Sequence, residues 1–321
     1  MSPQPYVTYV NFVEACLAIV FQSTAIFLMS HLVYCSRFKS PLFALRAELS
    51  TCLKIYLCMH IILSTLSLPY HIYLAVYWRT PWHATNNGNP IFNPEMLYWL
   101  GIWSASYMAV APATLFGLAI DRCLVLYLSI RYSRAIKRIV IYLGVLLIIL
   151  VYGFSYYVYL LELPLSQEKI AHCEFFSCVV VRLRNVPQLG IKIGFGTCNI
   201  ILSIQFFCLL KKSPVGGASK LIKDRVVWNT ILLEIFLDVI PGYFAWIFSW
   251  VTGETAANYI GQLNVTLCMA DAAFCSIFYS VVLLKVRITP INFSHQDVGL
   301  PVKFFNSSGQ TVNNFVSQSS R

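Results

Sequence analysis

Seven long apolar stretches constrain the fold of this chain more than any other feature of its sequence. The hydrocarbon core of a bilayer is about 30 Å thick, which an apolar helix of roughly 20 residues crosses. The chain is 58% hydrophobic and 11% charged, whereas about 25% of the residues in a soluble domain are charged. No stretch alternates polar and apolar residues in ten-residue blocks, so a transmembrane β-barrel is not expected. The predicted spans are residues 10–34, 51–76, 96–128, 139–161, 189–210, 226–251 and 259–284.

The domain organisation predicted from these spans is an all-α membrane domain over residues 1–284, a seven-transmembrane helix bundle, followed by a polar tail over residues 285–321. The tail is rich in Ser, Asn and Gln, a composition typical of disordered segments. The first ten residues hold no Lys or Arg, and the first apolar run is longer than a signal-peptide core. We therefore expect this run to remain as a membrane span.

The Lys and Arg residues are divided unevenly between the two sets of loops. With the amino terminus outside, sixteen of the 23 lie in inward loops or the tail, four in outward segments and three within spans. Loops rich in positive charge stay on the cytoplasmic side of a membrane. The bias predicts an amino terminus outside and a carboxyl terminus in the cytoplasm. It also accounts for the net charge of +10 without a nucleic-acid partner.

An acid and a guanidinium lie side by side at the inner end of the third predicted span. Asp121 and Arg122 follow about 25 mostly apolar residues and precede a basic loop. A charge inside hydrocarbon costs roughly 2.5–3.5 kcal/mol even on lenient insertion scales. Two adjacent charges at this border favour an ion pair that opens and closes as a switch. The simpler alternative is that the pair only anchors the helix at the membrane surface.

Seven helices with this Asp-Arg pair resemble the G-protein-coupled receptor superfamily, and more narrowly the nematode serpentine chemoreceptors of the bc or xa classes. The resemblance rests on residues 119–123 (Ala-Ile-Asp-Arg-Cys), residues 130–132 (Ile-Arg-Tyr), the short amino terminus and the length of the chain. The third span has no cysteine at its outer end, the seventh lacks an Asn-Pro-x-x-Tyr pattern, and Pro241 in the sixth has no Trp two positions before it.

This resemblance implies a chemosensory receptor in the plasma membrane of a sensory cell. Its implied partners are a small-molecule ligand of the odorant or pheromone type and a heterotrimeric G protein, with a receptor dimer possible and no cofactor. Asp121 and Arg122 would form the activation switch. Basic residues on the inner side would face the G protein, although they also suit contact with anionic lipid; they are Arg131, Arg134, Lys220, Lys223 and Arg225.

A ligand site within the bundle is expected because the outer segments are short. About nine residues precede the first span and the longest outer loop has about 27 residues, so a ligand must enter between the helices, where clefts suit small molecules. Trp103 and Tyr107 are four residues apart in the outer half of the third span and share a face. We predict that both contact the ligand. The alternative is an interfacial aromatic belt or packing between helices.

Acidic residues near mid-membrane provide a second set of pocket candidates. Glu234 and Asp238 are four residues apart in the sixth span and share a face. Asp238 and Asp271 each lie about 18 Å from an end of their spans, at similar depths. Intramembrane acids usually face the bundle interior and mark function, so the two aspartates could bind a cation, share a proton or meet a cationic odorant. Alternatively, one protonated acid forms a hydrogen bond with Asn199, Asn264 or a serine.

Two smaller signals concern the outer half of the chain. Cys173 and Cys178 share an outer loop, where oxidising conditions allow a disulfide. Lys192 lies near the outer end of the fifth span, and we expect its ammonium to extend to the membrane surface.

Two other classes of protein fit the sequence less well than a receptor. Seven-helix ligand-gated channel subunits of the insect odorant-receptor type place their amino terminus inside, opposite to the charge bias here. A membrane transporter or enzyme is less favoured, because the six histidines are scattered, no Gly-rich phosphate loop is present and no repeated halves are visible.

Overall fold

A computed structural model describes residues 5–38, 43–45, 49–79, 92–128, 132–165, 173–180, 186–212, 228–253 and 256–286. Within these ranges seven helices are long and apolar enough to cross a membrane, which confirms the predicted seven-helix architecture. The orientation of the bundle in a membrane stays a prediction. The helices are α1 (Pro5–Arg37), α2 (Thr51–Tyr77), α3 (Pro94–Leu128), α4 (Arg134–Leu160), α5 (Val186–Lys212), α6 (Trp228–Thr252) and α7 (Leu263–Leu283).

Side-chain caps explain why several helices begin where they do. The Ser50 and Ser133 hydroxyls accept backbone N–H groups at the starts of α2 and α4, and the Asn93 side chain does the same for α3. Because Ser133 caps α4, this helix begins five residues before the predicted span and includes Arg134. The α6 helix ends at Gly253, which adopts a left-handed conformation with φ of 70°.

The α3 helix is the most buried of the seven and α4 is the least buried. Small residues such as Gly101, Ala105 and Ala109 allow neighbouring helices to approach its backbone closely. Polar contacts join elements at the end of the bundle where α1 begins, which we call the N-terminal face. The opposite end, where α7 finishes, is the C-terminal face. It carries a short antiparallel pair of strands, β1 (Phe43–Leu45) and β2 (Leu284–Val286).

The middle of α6 contains a π-helical turn at Ile235–Val239. Pro241 follows this turn and has no backbone N–H, so it removes one hydrogen bond from a regular α-helix. The N–H of Ile240 instead donates to the carbonyl of Ile235, five residues earlier, as is typical of a π-turn. Asp238 lies within the widened turn.

The start of α7 and the tail differ from the predicted boundaries. The seventh span was predicted from residue 259, but residues 257–260 form a separate helical turn. Gly261 follows with φ of 68°, a conformation that favours glycine, and α7 begins at Leu263. Most of the predicted tail, residues 287–321, lies outside the described residues.

Candidate functional site

A cavity of about 120 Å³ lies at the N-terminal face among α3, α5, α6 and α7. For comparison, a protein cavity of about 150 Å³ holds benzene. The cavity is closed partly by the segment 173–180 and partly by the turn before α7. The polar or small residues that line it include Gly101, Ser104, Gln188, Lys192, Ser249 and Gln262.

Lys192 lies at the deep end of this cavity and forms an ion pair with Asp238. Its Nζ is 2.6 Å from Asp238 Oδ1, and both side chains are buried. The lysine stem runs beside Gly242, one turn after Asp238 on α6, where a glycine Cβ would lie 3.4 Å from Lys192 Cε. The expectation that Lys192 extends to the membrane surface is therefore wrong. A partner acid on α6 holds the ammonium inside the bundle.

Tyrosine hydroxyls hold two glutamine side chains in the cavity wall. Tyr159 donates to Gln188 Oε1 at 2.8 Å, and Tyr70 donates to Gln262 Oε1 at 2.9 Å. The Tyr70 oxygen also accepts the N–H of Phe176 at 3.0 Å, so its proton is left for Gln262. Each amide oxygen therefore already accepts one hydrogen bond, and the NH₂ group of each glutamine can donate to a ligand.

The segment 173–180 covers one side of the cavity. A disulfide joins Cys173 to Cys178, the pairing that their shared loop favoured. The Phe176 ring packs directly on Gly101 of α3, where a Cβ would lie within 2.7 Å of Phe176 Cβ. Glu174 accepts a hydrogen bond of 3.0 Å from the Thr8 hydroxyl on α1, and burial raises the pKa of this carboxyl.

The predicted intramembrane acids have separate partners. Asp238 binds Lys192, whereas Glu234 accepts a hydrogen bond of 3.0 Å from Asn199. The hydrogen bond between Asn199 and Glu234 matches the alternative in which one acid bonds Asn199. The acid is Glu234, however, and not one of the two aspartates. Asp271 is buried and lies near Cys275 Sγ at 3.7 Å. No Asp or Glu among the described residues lines the cavity, so the expected contact between Asp238 or Asp271 and a cationic ligand is not supported there.

Trp103 and Tyr107 do not line this cavity either, and their contact with a ligand stays a prediction. Trp103 packs against Tyr152 and Tyr156 of α4. Tyr107 is fully buried, and its hydroxyl is 2.8 Å from His60 Nδ1 on α2. The cavity faces small or flexible residues of α3 at helical spacing; they are Gly101, Ser104, Ala105 and Met108. Bulky rings lie on the opposite side of α3. The cavity is present on the side where the side chains of α3 are small or flexible.

The Asp121–Arg122 pair lies near the C-terminal face, at the far end of α3 from the cavity. Arg122 Nη2 is 3.5 Å from Asp121 Oδ2, and both side chains are buried. The Tyr132 hydroxyl donates to Asp121 Oδ1 at 2.6 Å. Burial, and then the Asp121 carboxylate, raise the pKa of Tyr132, so this hydroxyl remains a donor. Sequence reasoning had given Tyr132 no role, since its place after the helix does not show which way it folds back.

The basic residues predicted to face a G protein are described only in part. Arg134 is exposed in the first turn of α4. Arg131, Lys220, Lys223 and Arg225 lie outside the described residues.

Comparison of the chain with protein-family models and with curated proteins finds no match.

Proposed function

We propose that this protein is a chemosensory G-protein-coupled receptor that binds a small molecule in the cavity at the N-terminal face. On binding, it signals to a heterotrimeric G protein at the C-terminal face. One observation carries the proposal: α3 lines the cavity at one end and holds a buried Asp121–Arg122 pair at the other. The sequence resemblance to nematode serpentine chemoreceptors supports the same interpretation.

The α3 helix offers a direct mechanical link between the two ends. Ser104 and Arg122 are eighteen residues apart on this continuous helix, about 27 Å at 1.5 Å per residue. Arg122 presents a planar fork of N–H donors. Loss of its contact with Asp121 would leave the guanidinium available to a partner protein. A ligand that binds one arrangement of the bundle more tightly shifts the population towards that arrangement.

The charge distribution supports an orientation with the amino terminus outside the cell. In that orientation the cavity opens to the exterior, and the exposed Arg134 faces the cytoplasm with most of the chain's basic loop residues. We place the receptor in the plasma membrane, where an external small molecule reaches the cavity directly.

The test is expression in a heterologous cell with a panel of small molecules and a calcium or cyclic-nucleotide readout. Arg122→Ala should abolish the response at normal surface expression, because the guanidinium is the proposed contact for the G protein. Arg79→Ala is the matched control, since Arg79 is at the N-terminal face and bonds only its neighbouring backbone among the contacts described.

A full response from Arg122→Ala would rule out the proposed switch. A ligand-evoked current that persists without G proteins would instead favour a channel.

A further inference from the structure

The cavity wall offers several hydrogen-bond donors. Lys192 supplies an ammonium, and Gln188 and Gln262, whose oxygens accept tyrosine hydroxyls, supply amide NH₂ groups. The Ser104 and Ser177 hydroxyls also line the cavity and have no hydrogen-bond partner in the described part of the chain. A buried polar group without a partner is costly. These groups together are therefore suited to an oxygen-rich acceptor.

Lys192 retains capacity for a second anion. An ammonium has three N–H donors, and the contact described for Nζ is the one with Asp238 at 2.6 Å. Because Asp238 approaches from α6 beneath the cavity, the ammonium can bridge that carboxylate and an anion above it. A cationic ligand would meet this ammonium without an acid in the described cavity wall. At the ammonium itself an anion is therefore favoured over an amine.

The remaining walls fix the size and character of the rest of the ligand. Ala105, Met108, Leu189, Ala245 and Val265 are apolar and also line the cavity. The volume of about 120 Å³ holds about five non-hydrogen atoms, since benzene, with six, occupies a cavity of about 150 Å³. The cavity is open on one side, so the end of a slightly longer chain can project from it. A polar head with a short aliphatic tail fits both the donors and these walls.

We infer that the cavity binds a short-chain organic carboxylate whose head group contacts the Lys192 ammonium and the glutamine amides. This inference names the ligand class and rests on the proposed function only for its assignment of the cavity as the ligand site. The ligand shares Lys192 with Asp238, which lies in the π-helical turn of α6. Binding therefore weakens the link between α5 and α6 at that turn.

The test measures binding to the full-length protein in lipid nanodiscs by ligand-observed NMR, with three probes of equal chain length. The probes are pentanoate, pentan-1-ol and pentylamine. Pentanoate should bind at least about tenfold more tightly than the other two, the effect of one charge-assisted hydrogen bond. Lys192→Met should reduce pentanoate binding by the same factor. Lys54→Met, a membrane-helix lysine near the C-terminal face, is the matched control and should retain it.

Two further variants extend the test, and the double variant keeps it decisive if Lys192→Met folds poorly. The double variant Lys192→Met/Asp238→Asn leaves no unpaired charge and should fold yet still fail to bind pentanoate. Asp238→Asn removes the competing carboxylate while keeping the ammonium, so it should bind pentanoate at least as tightly as the unmodified protein.

Equal binding of the three probes, preference for the amine, or unchanged pentanoate binding by the double variant would overturn the inference. These results are independent of the proposed function, because nanodisc binding involves no G protein. Lys192-dependent pentanoate binding without any cellular response would contradict signalling and leave the ligand class standing. A cellular response to amines that is lost when a larger side chain fills the cavity would support signalling and contradict the ligand class.

Discussion

Lys192 illustrates how a single charge is positioned inside a membrane bundle. It lies six residues after the start of α5, about 9 Å along the helix, close enough for a lysine to reach the membrane surface. The side chain turns inward because Asp238 offers a carboxylate and Gly242 leaves room for the stem. A buried ion pair of this kind is costly to break on one side only.

The first prediction concerns the stability of this pair. Lys192→Met leaves the Asp238 carboxylate buried without its cation and should destabilise the protein by about 3–5 kcal/mol. The double variant Lys192→Met/Asp238→Asn should recover most of that loss, because neither side chain then carries a charge. Thermal unfolding in nanodiscs, followed by intrinsic fluorescence, measures both effects. Equal unfolding temperatures for the single and double variants would contradict the prediction.

The second prediction concerns Glu174 and pH. Burial raises its pKa above the ordinary value of 4.5, so the folded protein binds this proton more tightly than the unfolded chain. The contribution of Glu174 to stability is therefore largest below pH 4.5 and falls as pH rises from there through the raised pKa. Glu174→Gln should remove this component of the pH dependence.

The measurement for Glu174 is the unfolding temperature as a function of pH for the unmodified protein and the variant. Glu95→Gln is the matched control, because Glu95 is exposed at the start of α3. An identical pH profile for the unmodified protein and Glu174→Gln would show that this carboxyl is not coupled to folding.

At the residue scale the sequence predicted which residues share a helix face, but not which way that face points. Trp103 and Tyr107 share one side of α3, but that side faces away from the cavity. Helical periodicity gives the angle between two side chains, whereas packing sets the rotation of the whole helix. The adjacency of Asp121 and Arg122 was visible in the sequence. Their third partner, Tyr132, required the path of the chain after α3.

At the scale of elements, the contact between α3 and the segment 173–180 gives the third prediction. Gly101→Ala would place a Cβ 2.6 Å from Phe176 Cγ and 2.7 Å from its Cβ, which forces the segment away from the helix. We expect a loss of about 1–3 kcal/mol, the usual cost of overpacking, and faster hydrogen exchange in residues 173–180. Gly144→Ala in α4 is the control, since nothing lies within 4 Å of its added Cβ. Unchanged exchange in Gly101→Ala would refute the close packing.

The helices themselves were predictable because their apolar length is a property of local sequence. Their ends shifted by a few residues where a capping serine or a left-handed glycine decided the boundary, as at Ser133 and Gly261. The short strands β1 and β2 were not predicted, because their pairing joins segments more than two hundred residues apart. Such pairing depends on the packed bundle that brings the segments together.

At the scale of the whole molecule, the charge bias makes the fourth prediction. An epitope tag at residue 1 should be reached by antibody on intact cells, and a tag at residue 321 only after permeabilisation, because basic loops remain in the cytoplasm. Antibody against a cytosolic protein serves as the control for membrane integrity. The reverse pattern would place the cavity on the cytoplasmic side and remove the basis for a receptor of external molecules. The number of helices follows from the sequence and their orientation is predicted from its charges, whereas the cavity arises only from the packing of the helices.

The π-helical turn at Ile235–Val239 has a consequence for the rotational phase of α6. The turn holds one residue more than a regular helix would use, and each residue of an α-helix corresponds to about 100° of rotation. Deleting one residue there would let the turn close as a regular helix and leave Ala245 and Ser249, two residues of the cavity wall, on their present face. If the same residues formed a regular α-helix instead, those two side chains would be turned by roughly that angle. A single inserted peptide unit thus decides which side chains of α6 a guest molecule meets.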